Sequence, residues 1–309
     1  MTTTRFTLCW PILLALVVGA GAELAQGQVP AAEAPVNGVD YRFKRMVTRR
    51  AVNDQADSGR IKLVSYVYEP LHDNRGDVVI VLHGSTGGMA SSPNEPLNVR
   101  GFPIDFLLGR GLTVVVPLRR GRAESTGTYV EECPYYPGRC SLADNRLLAP
   151  SGLADALAST DAVLDDVLAK LNPRDGKVVL WGLSRGGFLA LDFAATRPGQ
   201  VHGVVAVSAG WLSIADEWPA DENAARLELQ REVLGNAGSR FSGPTLWVYA
   251  DRDPFYPDSV TRQFFSAYKA GGGSGRYLFI ENHPATSGHT PGLNLWEADA
   301  VRFLEKFGL

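Results

Sequence analysis

Five residues, Gly182-Leu183-Ser184-Arg185-Gly186, constrain this chain more than any others. They follow an apolar run, Lys177-Val178-Val179-Leu180-Trp181, that reads as a buried strand. They precede Phe188-Leu189-Ala190-Leu191-Asp192-Phe193-Ala194-Ala195, which reads as a helix. A strand, a sharp turn carrying a serine between small residues, and then a helix is the setting in which G-x-S-x-G exposes its serine as a nucleophile. The glycines are needed because the serine backbone is held in a strained turn, where bulkier neighbours would collide with the adjoining strand and helix. The pentapeptide by itself also fits an ordinary glycine-rich turn; the flanking strand and helix make it specific.

From about Ile61 onward, strand-like runs alternate with amphipathic ones. Ile61 to Tyr68 alternates. Val78-Val79-Ile80-Val81-Leu82 and Thr113-Val114-Val115-Val116 are continuous β-branched runs, the pattern of strands buried on both faces. Further strands are expected at Val204 to Val207, Thr245 to Tyr249 and Tyr277 to Ile280. Helices are expected at Phe102 to Leu108, Leu153 to Leu171, Ser259 to Lys269 and Leu295 to Phe307. Such alternation implies an α/β architecture, a mostly parallel sheet flanked by helices on both faces. Two connections are long. Arg119 to Ser151 carries a cysteine pair, and Gly210 to Gly243 carries Trp211, Trp218 and a helix expected over Glu222 to Leu234, read as a small lid-like insertion after the sixth strand. Long loops at the carboxyl ends of parallel strands build binding sites. The run Gly271 to Gly275 leads into a strand rather than a helix, so it is a loop and not a phosphate cradle.

The chain has 309 residues and a formal charge of -3, which offers no general attraction to nucleic-acid phosphates. Its start has the form of an export signal: Arg5, an apolar stretch from Phe6 to Gly19, and the small-x-small sequence Ala20-Gly21-Ala22. The apolar core is short for a spanning helix. The expected organisation is therefore a signal peptide over 1–22, a flexible lead-in over 23–50 and one catalytic domain over 51–309, secreted or periplasmic, with no stable membrane anchor after cleavage. With Cys9 lost in the signal, Cys133 and Cys140 form an even, closely spaced pair that reads as a local disulfide. Free thiols or half of a metal site are the alternatives, and no cysteine or histidine nearby in sequence completes a metal set.

A serine nucleophile needs a base, and the base an orienting carboxylate. In a sheet of this order the acid follows a later strand and the histidine follows the last. Asp251 and Asp253 compete for the acid; Asp253 lies deeper in its loop, before Pro254, Phe255 and Tyr256. His283 and His289 compete for the base; His289, after Gly288, is the one placed to turn its ring toward the serine. An oxyanion hole needs two backbone N–H groups. One is expected from Arg185 and the other from His83-Gly84-Ser85-Thr86-Gly87-Gly88, at Ser85 with Thr86 as the neighbouring choice, while His83 serves the loop itself. Trp211, Trp218 and Tyr256 are candidates to line an acyl pocket, or simply to pack their loops. Arg185 is placed either to meet an anionic substrate or to face solvent.

At these residues the chain resembles the α/β-hydrolase superfamily, over nearly everything from Val78 to Leu309. Within it the chain is similar to dienelactone-hydrolase-like and prolyl-oligopeptidase-like serine hydrolases, partly through Arg120-Gly121-Arg122-Ala123-Glu124-Ser125-Thr126-Gly127 after the fourth strand. Ser184 stands where dienelactone hydrolases carry cysteine, and too few residues precede Val78 for a propeller domain. The resemblance implies hydrolysis of a small-molecule carboxylic ester through an acyl-enzyme, with no metal or organic cofactor. The same residues leave open a peptidase or amidase acting on short peptides, and a non-catalytic binding protein on the same fold.

Overall fold

The computed structural model describes residues 39–54, 56–85, 103–131, 142–214, 219–281, 284 and 287–309, with the backbone alone over 142–149. The expected signal peptide, Cys133, Cys140, Trp218, Thr86 and His283 lie outside the described residues.

Eight strands form one sheet: β1 (Tyr41–Asn53), β2 (Ser58–Pro70), β3 (Val78–Leu82), β4 (Thr113–Pro117), β5 (Val178–Leu183), β6 (Val201–Val207), β7 (Pro244–Ala250) and β8 (Ser274–Ile280). Their spatial order is β1-β2-β4-β3-β5-β6-β7-β8. β1 pairs with β2, and β2 with β4, antiparallel; every pairing from β4 to β8 is parallel. Parallel neighbours require crossovers, and among the described residues α1 (Ile104–Leu108), α2 (Leu142–Leu171), α3 (Arg185–Thr196), α4 (Ala220–Arg240) and α5 (Asp258–Ala270) lie in them, while α6 (Glu297–Glu305) follows the last strand.

The central strands are buried on both faces, and their alternation sorts the core into two layers. Ile80, Leu82, Leu180, Trp247 and Tyr249 meet Leu164, Phe188, Leu234 and Phe264 of α2, α3, α4 and α5 on one face. Val79, Val81, Val179, Trp181 and Val248 meet Leu107, Trp296, Phe303 and Leu304 on the other.

Three expectations are corrected. The segment 41–50, expected within the flexible lead-in, is most of β1, in register with β2 along its whole length. Five basic residues in that stretch (Arg42, Lys44, Arg45, Arg49 and Arg50) hide an alternation that buries only Tyr41, Met46 and Thr48 before Val52. Such charge is what keeps an edge strand from pairing with another chain. Second, α2 begins at Leu142, inside what reads as an open connection, and runs through Pro150. Third, α4 does not stop at Leu234 but continues through Gly235 and Gly238 to Arg240. These glycines mark a close helix crossing rather than an end: a Cβ on Gly238 would fall on the Tyr268 carbonyl, and Gly271 of the α5 end sits equally tightly on the Gly235 carbonyl. The connection after β6 is thus docked along α4 onto the body of the domain.

Candidate active site

Ser184 separates β5 from α3 and holds φ 55°, ψ -121°. A non-glycine residue there carries strain of about 1–3 kcal/mol, sustained only by the structure around it. That structure is explicit. The Ser184 amide donates to Val207 O at 2.8 Å, and the Ser184 carbonyl accepts from Phe188 N at 3.1 Å and Gly210 N at 3.3 Å. A Cβ on Gly186 would fall on the Leu82 carbonyl, and one on Gly182 on the Gly186 carbonyl. The spacing of small residues in the pentapeptide follows from these two approaches.

Gly84 and Ser85 leave the end of β3 beside the serine; a Cβ on Gly84 would lie 3.2 Å from Ser184 Cβ. This loop is braced from below. Arg119 donates from Nη1 to His83 O at 2.5 Å and from Nη2 to Gly84 O at 3.1 Å. His83 is buried; its Nδ1 meets Gly84 O at 2.8 Å and its Nε2 accepts from Arg119 N at 3.3 Å. These partners require the neutral ring with its proton on Nδ1. Burial first, and then the positive charge of Arg119, hold the His83 pKa well below its ordinary value, so the ring stays in that form.

The acid and base candidates lie past β7 and β8. His289 Nδ1 stands 3.1 and 3.0 Å from the two carboxylate oxygens of Asp253. The Asp253 side chain is only 1% exposed, and its Oδ1 also accepts from Phe255 N at 2.9 Å and Tyr256 N at 3.2 Å. A carboxylate only accepts, so Nδ1 is the donor and Nε2 of the neutral ring is left as a base. Asp251 instead pairs with Arg252 at 3.4 Å. Two rings flank the imidazole: Phe255 edge-on at 4.6 Å and Tyr256 at 5.8 Å. Among the described residues, the hydrogen bonds of His289 run to Asp253 and from its own amide to Ser287 Oγ; one with Ser184 is not among them.

Ser184, Asp253, His289 and Ser85 each follow the carboxyl end of a parallel strand, so the topology collects them at one edge of the sheet. Gly210 links two of them, since its amide meets the Ser184 carbonyl while the Tyr256 ring, next to His289, packs against its Cα.

The other aromatic candidates that lie among the described residues are Trp211 and Tyr256. Trp211 is buried against Phe188, and Tyr256 is buried between His289 and Phe264. Phe255, beside them, reaches the surface at 42% exposure. Arg185 does not face solvent; it donates from Nε to Trp211 O at 2.9 Å and from Nη1 to the Tyr129 hydroxyl at 3.2 Å, with Glu131 at 3.9 Å. Sequence reasoning also passed over Gln230 and Arg226 of α4. Gln230 accepts from the amides of Trp211 and Leu212 and donates to Leu212 O, and Arg226 donates to Ser213 O, so one polar helix face fixes the loop after β6. Their signal was Glu222, Arg226 and Gln230 at spacings of four on one face of α4, all buried.

The model of the Alpha/beta hydrolase family matches residues 79–304. No curated protein sequence matches the chain. Among solved structures, the chain is similar to an esterase from Pyrococcus furiosus, with TM-score 0.55 and 14% identity over 91% of this chain and 98% of that one. It is similar to acetyl xylan esterase 1 from Thermoanaerobacterium sp. JW/SL YS485, with TM-score 0.56 and 17% identity over 87% and 89% of the two chains. It is similar too to an acylaminoacyl peptidase from Pyrococcus horikoshii, with TM-score 0.56 and 10% identity over 87% of this chain and 42% of that one. At these identities the likeness is one of fold.

Proposed function

Since the chain belongs to the alpha/beta hydrolase family, we propose that it is a serine hydrolase of carboxylic esters, with Ser184 as nucleophile, His289 as general base and acid, and Asp253 as the group that orients the imidazole. The observation that carries this reading is the His289 Nδ1 contact with a buried, twice-braced Asp253 carboxylate, at the sheet edge that also holds the strained Ser184 turn.

In this mechanism Ser184 Oγ attacks the ester carbonyl carbon and its proton passes to His289 Nε2. Such serine–histidine contacts tighten when substrate is bound. The Asp253 carboxylate stabilises the imidazolium without taking its proton. The carbonyl oxygen becomes an oxyanion, which the Ser85 and Arg185 backbone N–H groups receive. Collapse breaks the bond to the alcohol, and His289 returns the proton to that leaving oxygen. Water then attacks the acyl-enzyme, giving its proton to His289, and the acid leaves as Ser184 recovers its hydrogen. Besides the ester and water, every group used in these steps belongs to the chain itself. The bracing of His83 and Gly84 by Arg119 occupies their carbonyls, which suits a loop that must offer an N–H rather than a carbonyl to the substrate. Export completes the proposal: cleavage after Ala22, a secreted or periplasmic location and a Cys133–Cys140 disulfide, on the strength of the sequence signals.

The test pairs covalent labelling with turnover. A fluorophosphonate probe is expected to label the protein and not its Ser184→Ala variant, and short p-nitrophenyl esters are expected to be cleaved by the former alone. An unlabelled wild type, or a Ser184→Ala variant retaining full esterase activity, would refute the mechanism. Faster cleavage of prolyl or aminoacyl anilides than of esters would reassign the enzyme as a peptidase.

A further inference from the structure

Among the described residues, the connection after β4 carries three arginines, Arg119, Arg120 and Arg122, and the first two of them are fully engaged. Arg119 meets the Glu131 carboxylate from Nε at 2.5 Å and from Nη2 at 3.0 Å, besides holding the oxyanion loop. Arg120 is surrounded by Asp54, Asp57 and Asp155. Arg122 is different. It is 8% exposed and its Nε has no hydrogen-bond partner. Its guanidinium stacks on the Tyr129 ring at 3.6 Å, and no carboxylate among the described residues stands within ion-pair distance of it.

This open guanidinium belongs to a cluster of arginines gathered around the buried Glu131 carboxylate. Burial would raise the Glu131 carboxyl, but Arg119, and behind it Arg185 and Arg122, hold it below the ordinary carboxylate range. Among the described residues, the Glu131 carboxylate faces three guanidiniums, and the neighbouring His83 is kept neutral. Arg185 has its Nε and Nη1 committed to Trp211 O and the Tyr129 hydroxyl, whereas Arg122 does not. A second buried donor in the same neighbourhood, Trp211 Nε1, also has no partner, and its ring lies 5.3 Å from the Arg185 guanidinium. Charged and polar groups removed from water are stable when paired, so two open donors side by side call for an acceptor, and the Arg122 guanidinium calls for an anionic one. The place is telling: Tyr129 bridges Arg122 to Arg185, the residue after Ser184, and Arg119 joins the cluster to the loop beside Ser184.

We propose that Arg122 is a specificity-determining residue that receives a carboxylate of the substrate, so that the favoured substrates are esters bearing an anionic group. This rests on the ester-hydrolase reading above and narrows its substrate class. A guanidinium suits the task because its planar fork meets both oxygens of a carboxylate.

The experiment compares matched pairs of esters on the full-length protein. Carboxylate on the acyl side is tested by the p-nitrophenyl monoester of glutarate against p-nitrophenyl valerate. Carboxylate on the leaving side is tested by p-carboxyphenyl butyrate against p-methylphenyl butyrate. The quantity read is the ratio of kcat/KM within a pair, and the intrinsic reactivity of each ester cancels between variants. Arg122→Gln is expected to lower that ratio by about tenfold or more on one arm, the scale of a charge-assisted hydrogen bond. Arg122→Lys is expected to keep part of it; if the glutamine variant does not fold, a lower ratio in the lysine variant decides the matter. Glutarate is also expected to raise the Tm of the wild type and not of the Arg122 variant, a readout that needs no turnover. An unchanged ratio on both arms together with an equal Tm rise in both proteins would overturn the proposal. Cleavage of neutral esters without carboxylate preference or glutarate stabilisation would remove the anion site alone. Arg122-dependent glutarate binding with no ester turned over would instead keep the anion site and remove the ester reading.

Discussion

Asp192 gives the sharpest quantitative test of this structure. It lies in α3, a helix whose every residue from Arg185 to Ala195 is buried, and is itself only 6% exposed. It makes no hydrogen bond or ion pair among the described residues, and its burial, opposed only weakly by the charge of Arg240, lifts its pKa from 3.8 to about 6. A raised carboxyl penalises the native state wherever it must ionise. Below the unfolded pKa both states are protonated and there is no penalty. Stability then falls as pH rises through the folded pKa, and above it the loss is complete. Two pKa units at about 1.4 kcal/mol each make that loss about 3 kcal/mol. The nearly isosteric Asp192→Asn variant cannot ionise. It is expected to be more stable than wild type by up to about 3 kcal/mol near pH 8, with the gap closing toward pH 4. Urea unfolding of both proteins across that range measures it, and the difference between them cancels every other titrating group that the two share. A gap that stayed constant with pH would show that Asp192 does not carry this burial penalty.

Asp253→Asn should lower kcat on p-nitrophenyl esters by about 10³-fold or more, because the amide no longer holds the required tautomer of His289, while Asp251→Asn stays close to wild type. Equal losses in the two variants would contradict the assignment. Glu131→Gln should cost about 3–5 kcal/mol in chemical unfolding, since Arg119 would lose a buried carboxylate held at 2.5 and 3.0 Å. A cost below about 1 kcal/mol would mean that the arginine cluster is more hydrated than its burial implies.

The central strands were legible because burial on both faces leaves nothing but apolar residues in Val78–Leu82 and Val114–Val116. The strand β1 was not, because this edge strand places charges at five of its thirteen positions and buries only four of the others. The extra turns of α4 were hidden for a related reason. Glycine reads as a helix end from sequence, but in Gly238 it answers to the Tyr268 carbonyl pressed against it.

At the site, chain order alone marked Ser184 and reduced the acid and base to two candidates each, since strand-turn-helix punctuation and loop position are local properties. Tertiary structure decided that Asp253 and not Asp251 meets His289, because the choice depends on how a turn between β7 and α5 aims two side chains a single residue apart. It also decided which arginine is uncommitted. Arg119, Arg120, Arg122 and Arg185 are alike in sequence, and only the positions of Glu131, Asp54, Asp57, Asp155 and Tyr129 leave Arg122 without a carboxylate among the described residues. Pairing is a property of distance between groups far apart in the chain, and distance is what folding alone supplies.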